Sequence, residues 1–160
     1  MKAFKDSVTS VAVTGGGDIL GCSVDGTIRR FDVRMGRVVT DLLHHPITSI
    51  AVSTDGGCLL AACTDSCVRL LDRADGDLLG EYRGHKHEGT KLDAAFTPSE
   101  GYVVGESEDG RVVYWDVVEG VVVEEVQAHD RGDVVCSLAM HPRGDCLLTA
   151  SVDGTVKVWK

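Results

Sequence analysis

No apolar run in the sequence is long enough to cross a membrane as a helix. The opening stretch MKAFKDSVTS also lacks the hydrophobic segment of a signal peptide. Both absences set the expectation of an intracellular protein that no membrane holds. Basic charge is scarce: 16 Lys and Arg stand against 25 Asp and Glu, a formal net charge of −9 at pH 7. Phosphate contacts need clustered cations, so direct nucleic-acid binding is not expected. Proline is nearly missing, with three residues against nineteen glycines, which points to many tight turns. The six cysteines, at positions 22, 58, 63, 67, 136 and 146, form no Cys-x-x-Cys pair. They read as buried free thiols in a reducing compartment. Nucleophile elbow, phosphate loop and metal box are all missing, and the GGG at 15–17 lies between two strand-like segments instead of ahead of a helix. No cofactor and no metal are expected.

What remains is the composition of a folded chain: 160 residues, 43% hydrophobic and 26% charged, enough for one domain with its own core. The charge is uneven. Residues 1–45 carry six basic and five acidic side chains, and residues 46–90 carry four and seven. Residues 91–133 carry three basic against eleven acidic, and 134–160 three against two. Such an acidic sector favours a basic protein partner, or serves only as a solvated face.

The chain repeats itself. LGCSVDGTIRRFD, AACTDSCVRLLD, GESEDGRVVYWD and TASVDGTVKVWK share one pattern. Their turn aspartates, Asp25, Asp65, Asp109 and Asp153, are spaced 40, 44 and 44 residues apart. Six residues after each comes Phe31, Leu71, Trp115 or Trp159, and the first three of these are followed by Asp32, Asp72 and Asp116. Upstream of each, SVTSVAVT, PITSIAVS, KLDAAFT and VVCSLAMH alternate apolar with small polar residues, the period of a half-buried strand. The repeats span about 7–45, 46–90, 91–133 and 134–160, with four strands each except the last, which lacks its fourth. The first repeat predicts strands near 8–14, 18–24, 27–33 and 38–44. The third predicts them near 91–97, 102–108, 111–117 and 121–127.

Units of this length, with a Trp-Asp ending and a Gly-His type lead-in (here residues 44–45, 84–85 and 128–129), resemble the WD-repeat family. The resemblance covers essentially the whole chain and implies an all-β fold, a WD-repeat β-propeller of which four blades are present. GCSVDGTIRRFDVRMGRV, DSCVRLLDRADGDLLGEYRGHK, SEDGRVVYWDVVEG and HPRGDCLLTA resemble more closely the mitogen-activated protein kinase organizer family, seven-bladed WD-repeat scaffolds. That likeness implies a partial, open propeller. It also implies protein partners from kinase cascades or the spliceosome, and a cytoplasmic and nuclear location. In a closed propeller of that family the last blade takes its fourth strand from the N-terminus.

In the family a histidine, a hydroxyl, the turn Asp and the Trp form a hydrogen-bonded relay. Two sets are complete here: His85, Ser107, Asp109, Trp115, and His129, Ser151, Asp153, Trp159. The second repeat has His45 and Asp65 but Cys63 and Leu71. The first has Ser23, Asp25 and Phe31 and no matching histidine, so both should rely more on apolar packing. A catalytic His-Ser-Asp trio is the competing reading, but a trio that recurs at the repeat period is what structural repetition produces. His85 and His87 in GHKHEG lack further ligands at metal spacing and read as loop histidines. By analogy with the family, Pro46, Thr64, Thr90, Glu108 and Val134 lie toward one rim and are candidate partner contacts. An open arc has two unpaired ends, so the chain by itself is expected to associate with another copy or to aggregate.

Overall fold

The computed structural model describes residues 3–160. It consists of four antiparallel sheets, one per repeat, each a meander in which consecutive strands are neighbours. Blade 1 holds β1 (Val8–Val13), β2 (Ile19–Ser23), β3 (Thr27–Asp32) and β4 (Arg37–Leu42). Blade 2 holds β5 (Ile47–Val52), β6 (Cys58–Cys63), β7 (Cys67–Asp72) and β8 (Leu78–Arg83). Blade 3 holds β9 (Ala94–Phe96), β10 (Tyr102–Glu106), β11 (Arg111–Asp116) and β12 (Val122–Gln127). Blade 4 has three strands, β13 (Val135–Met140), β14 (Leu147–Ser151) and β15 (Val156–Trp159). The four sheets form an open partial propeller.

The turn chemistry explains why the chain folds back where it does. Each second-to-third-strand turn is led by the repeat's aspartate. Asp25 Oδ1, for example, accepts the Thr27 N–H at 3.0 Å and the Thr27 hydroxyl at 2.6 Å. A left-handed residue follows: Gly26, Gly110 and Gly154 in three blades, and Ser66 at φ 56° in blade 2. Ser66 is held in that conformation by His87, whose carbonyl accepts its N–H at 3.1 Å and whose N–H donates to its Oγ at 2.9 Å. The aspartates after the Phe, Leu or Trp serve the next turn. Asp32 Oδ1 accepts N–H bonds from Arg34 and Met35, and Asp116 Oδ1 from Val118 and Glu119.

The core lies between blades instead of inside any one of them. Leu20, Cys22 and Ile28 of blade 1 pack on Ile47, Ile50, Leu59 and Leu71 of blade 2. Leu60, Val68, Leu70 and Tyr82 of blade 2 meet Ala94, Val103, Val113 and Trp115 of blade 3. Val104 and Val112 of blade 3 meet Val135 and Leu147 of blade 4. In blades 2 and 3 one face therefore serves the next blade and the other serves the previous one. The first strands of blades 1, 2 and 4 begin with a register shift. In two of these shifts a threonine reaches the following blade: Thr9 Oγ1 donates to the Ile47 carbonyl at 2.7 Å, and Thr48 Oγ1 to the Leu92 carbonyl at 2.8 Å.

Two expectations are corrected. The predicted strand 91–97 shrinks to Ala94–Phe96, because the N–H of Asp93 turns to the Glu106 carboxylate at 2.8 Å and residues 88–90 are drawn to Glu108. The thiols are not uniformly buried. Cys22, Cys63 and Cys67 are, Cys58 and Cys146 are half-buried, and Cys136 is exposed because no blade covers its face.

Candidate interaction face

A meander places the lead-in to each first strand and the second-to-third-strand turn at the same end of the blade. The four turn aspartates and their surroundings therefore share one face of the arc. Blade 4 carries a full relay there. Trp159 Nε1 donates to Thr149 Oγ1 at 3.0 Å, Thr149 Oγ1 meets His129 Nε2 at 3.0 Å, and His129 Nδ1 meets Asp153 Oδ2 at 2.9 Å. An indole can only donate, so the threonine oxygen accepts from Trp159, while Thr149 and Asp153 hold the two imidazole nitrogens of His129 between them. Thr155 and His129 together hold the Asp153 carboxyl down at about 2. The hydroxyl in the relay is Thr149, not Ser151. Ser151 Oγ accepts the N–H of Asp153 at 3.3 Å and belongs to the turn.

Blade 3 has no such relay although all four residues are present. The position matching Thr149, four residues before the turn aspartate, is Gly105. An added Cβ there would stand 2.9 Å from Cζ3 of Trp115, so the indole fills the space a hydroxyl would need. Trp115 is fully buried and donates instead to the Arg83 carbonyl at 2.7 Å. Ser107 Oγ donates to Asp109 at 2.6 Å, and Arg111 grips the same carboxylate through Nε at 2.9 Å and Nη2 at 2.7 Å. Burial works to raise the Asp109 carboxyl, and Arg111 with Ser107 overcomes it. His85 is displaced from the carboxylate. It lies edge-on to Trp115, ring centroids 5.2 Å apart, and its buried Nδ1 has no partner. Burial, reinforced by neighbouring His87, pushes its pKa down to about 4.

The other two blades use different locks. In blade 2, Arg69 bonds Asp65 at 3.0 and 2.6 Å, His45 stands 3.5 Å from the same carboxylate, and Leu71 is buried. In blade 1, Phe4 lies where the lead-in histidine lies elsewhere. It packs edge-on to Phe31 and over Gly21, while Arg29 sits 5.0 Å from its ring centroid and bonds the Ala3 carbonyl. The Lys5 N–H takes the histidine's place on Asp25 at 2.8 Å. In three blades a cation beyond the turn thus holds a lead-in carbonyl: Arg29 on Ala3, Arg111 on Gly84, Lys157 on Ala128. A cation shortly after each of these turn aspartates is the signal that marked these pairs in the sequence.

The five candidate partner residues are all half-buried on this face. Four of them are tied in pairs, Thr64 with Pro46 and Thr90 with Glu108, and Val134 is tied to Val152. Thr64 donates its N–H to the Pro46 carbonyl at 3.1 Å, and Val134 accepts from Val152 at 3.1 Å. Thr90, Gly89 and Glu88 all direct their N–H groups to Glu108 Oε1, at 2.9, 2.9 and 3.1 Å. Those three donors outweigh burial and hold the Glu108 carboxyl at about 2. Glu108 is therefore the anchor of its own loop. Beneath it lies Glu106, 1% exposed, with Oε1 unpaired and its carboxyl pushed up to about 8 by burial. Among the described residues no three His, Cys, Asp or Glu side chains converge as a metal site.

Known proteins carry the same pattern. The family described as WD domain, G-beta repeat matches residues 1–32, 36–72, 76–116 and 120–160. WD repeat domain-containing protein 83 of Rattus norvegicus is 45% identical over 98% of this chain, and its Homo sapiens counterpart 46% over 98%, with 48% of each relative covered. The WD repeat domain-containing protein 83 homolog of Dictyostelium discoideum is 31% identical over 89% of the chain, with 43% of the relative covered. The chain thus spans about half the length of these relatives. The computationally designed Ika4 protein overlays at TM-score 0.82 with 22% identity, covering 99% of this chain and 94% of that one. The designed Ika8 protein overlays at 0.81 with 22% identity, covering 99% and 47%. Four matched repeats on four blades settle the assignment: the chain belongs to the WD-repeat family.

Proposed function

We propose that the chain is a non-enzymatic scaffold that holds protein partners on the face carrying the lead-in loops and turn aspartates. WD-repeat domains generally mediate protein–protein binding. One observation carries the reading to this face: its loops are fixed to their neighbours by hydrogen bonds, backbone to backbone at Thr64–Pro46 and Val152–Val134 and from the Thr90 N–H to the Glu108 carboxylate. A face ordered before binding loses little freedom on association, which is what a docking platform requires. The partners are components of a mitogen-activated protein kinase cascade, met in the cytoplasm and nucleus, with splicing proteins as the second set. The His-Ser-Asp trio argues against catalysis here. His129 is 1% exposed, and both hydroxyls beside it are engaged: Thr149 accepts from Trp159, and Thr155 donates to Asp153 at 2.7 Å. The test is capture of cascade kinases and of splicing proteins from extract by immobilised chain, compared with a Thr64→Arg, Val134→Arg double variant of unchanged melting temperature. Capture that the double variant leaves intact would overturn the assignment to this face.

A further inference from the structure

The end of each blade opposite the turn aspartates is built from its first-to-second and third-to-fourth strand turns. The repeat shows what each position there ordinarily does. In the first-to-second turns of blades 1, 2 and 3 the fourth residue donates its N–H to the carbonyl of the first: Gly17 to Thr14, Gly56 to Ser53, Glu100 to Thr97. That shared bond sets Thr14, Gly15, Gly16 and Gly17 beside Ser53, Thr54, Asp55 and Gly56, and beside Thr97, Pro98, Ser99 and Glu100. Blades 2 and 3 fill these turns with their own side chains. Asp55 Oδ1 accepts the Ser53 hydroxyl at 2.6 Å, and Ser99 Oγ meets Thr97 Oγ1 at 3.3 Å. Across the junction between the two blades, the Glu100 carboxylate accepts the Thr54 N–H.

The junction between blades 1 and 2 has the same frame without these groups. Gly16 stands where Asp55 and Ser99 stand, and Gly56 stands where Glu100 stands. A Cβ added at Gly15, Gly17 or Gly56 would meet nothing within 4 Å, and one at Gly16 only Thr14 Oγ1 at 3.8 Å. Thr14 is 6% exposed, yet its Oγ1 has no partner. The Gly15 N–H, in the place of the Thr54 N–H, has no acceptor among the described residues. These groups open on a pocket of about 320 Å³ whose far wall is Arg73 of blade 2. Arg73 replaces Val117 of blade 3, and their N–H groups donate to the matching carbonyls of Gly57 and Gly101. Arg30 Nη1 fixes the Arg73 carbonyl at 2.7 Å. The Arg73 guanidinium enters no ion pair among the described residues, and its Nη1 is buried without a partner. Asp55 also lines the pocket, but its Oδ1 is committed to the Ser53 hydroxyl and the Gly57 N–H.

We propose that this pocket takes the carboxylate of a glutamate carried on an acidic segment of a partner protein. The molecule holds the template one junction further on, where a glutamate presented by a turn sets its carboxylate on the Thr54 N–H. Between blades 1 and 2 the matching N–H is joined by the Thr14 hydroxyl and the Arg73 guanidinium, all able to donate, and the space of the missing side chain is open. An ionised carboxylate only accepts, so it satisfies such a set of donors, and the bond from a guanidinium is the strong, charge-assisted kind. A buried donor left unmatched costs free energy, which a carboxylate arriving from outside would recover. Both walls of the pocket belong to consecutive blades of the chain, so the site is complete within it. It lies at the other end of the blades from the turn aspartates and is a second contact, independent of the face that carries them.

Fluorescence anisotropy of a fluorescein-labelled peptide of alternating Gly and Glu tests this. The chain is expected to bind it saturably although its own net charge is −9, and to ignore the same peptide with Gln for Glu. Arg73→Gln should weaken binding about tenfold or more. Only backbone atoms of Arg73 bond the rest of the fold, so the circular dichroism spectrum should not change. Arg131→Gln removes the same charge from the exposed lead-in of blade 4, at the opposite end, and should leave binding as it was. Gly56→Glu supplies the carboxylate from within and should abolish peptide binding. The backbone there admits a glutamate, since Gly56 has φ 75° and Glu100, in the matching place, has φ 55°. No binding, equal binding of the Gln peptide, or binding indifferent to Arg73→Gln or to Gly56→Glu would each overturn the site. Free glutamate competing at the peptide's own concentration would overturn the choice of a protein segment, and tighter binding of a phosphoserine peptide would overturn the choice of a carboxylate.

Discussion

Among the described residues, Thr149 is the hinge of the only chain of hydrogen bonds that runs from a tryptophan to a turn aspartate. Thr149→Val keeps its shape and removes its hydroxyl, leaving Trp159 Nε1 and His129 Nε2 without their partner. The expected loss is about 1–3 kcal/mol, read from urea unfolding. Trp115→Ala removes a fully buried indole and should cost about 3–5 kcal/mol. Trp159→Ala should cost clearly less, because Trp159 is only half-buried beside the absent strand. Equal losses at the two tryptophans would contradict this ranking. Glu106 gives a test by pH. Its folded pKa, about 8, lies above the ordinary carboxyl value of 4.5, so the fold holds a proton the unfolded chain releases. Its contribution is complete below about pH 4.5 and is lost as pH rises through about 8, at about 1.4 kcal/mol per pH unit between them. Glu106→Gln is expected to remove that decline; a stability profile unchanged by the substitution would mean the carboxyl is ionised in the fold.

At the scale of the element, the 84–93 loop depends on one carboxylate. Glu108→Ala withdraws the acceptor from three backbone N–H groups and should open the loop to limited proteolysis and speed exchange of the Gly89 and Thr90 amides, with little change at β12. Strand existence and turn positions were legible in the sequence, because alternation and the aspartate-led turns are local properties that recur in every repeat. The relay was not. A serine two residues before the turn aspartate recurs in three repeats and so drew attention, yet its job is the turn. The hydroxyl that matters lies four residues before it, where the repeats read Gly21, Ala61, Gly105 and Thr149. Thr149 and Ser151 stand two apart in β14 and share a face, so strand periodicity does not tell which of them meets the imidazole: His129 lies beside Thr149, and Ser151, at the strand's end, takes the turn. The Phe4–Phe31 lock was hidden for a related reason: an apolar pair replaces a polar one, and no spacing announces the exchange.

For the whole molecule, the acidic 91–133 sector offers a test of docking. Glu119, Glu124 and Glu125 face solvent along and beside β12, and of these only Glu125 is paired, with Arg111. If a basic partner approaches this side, its association rate should fall several-fold between about 50 and 500 mM salt, measured by stopped flow, while dissociation changes little. An association rate indifferent to salt would reduce the sector to a solubilising surface.

Blades 2 and 3 both combine a full set of four strands with neighbours whose side chains bury both of their faces, and in blade 2 every residue of β6 from Leu59 to Cys63 is hidden. Opening is then a matter of sequence in time. The outer blades can release their amides while the centre holds, whereas β6 and β7 exchange only when the entire arc comes apart. Their slowest amides in deuterium exchange therefore measure the global free energy of unfolding, and those of β15 measure the fraying of one edge.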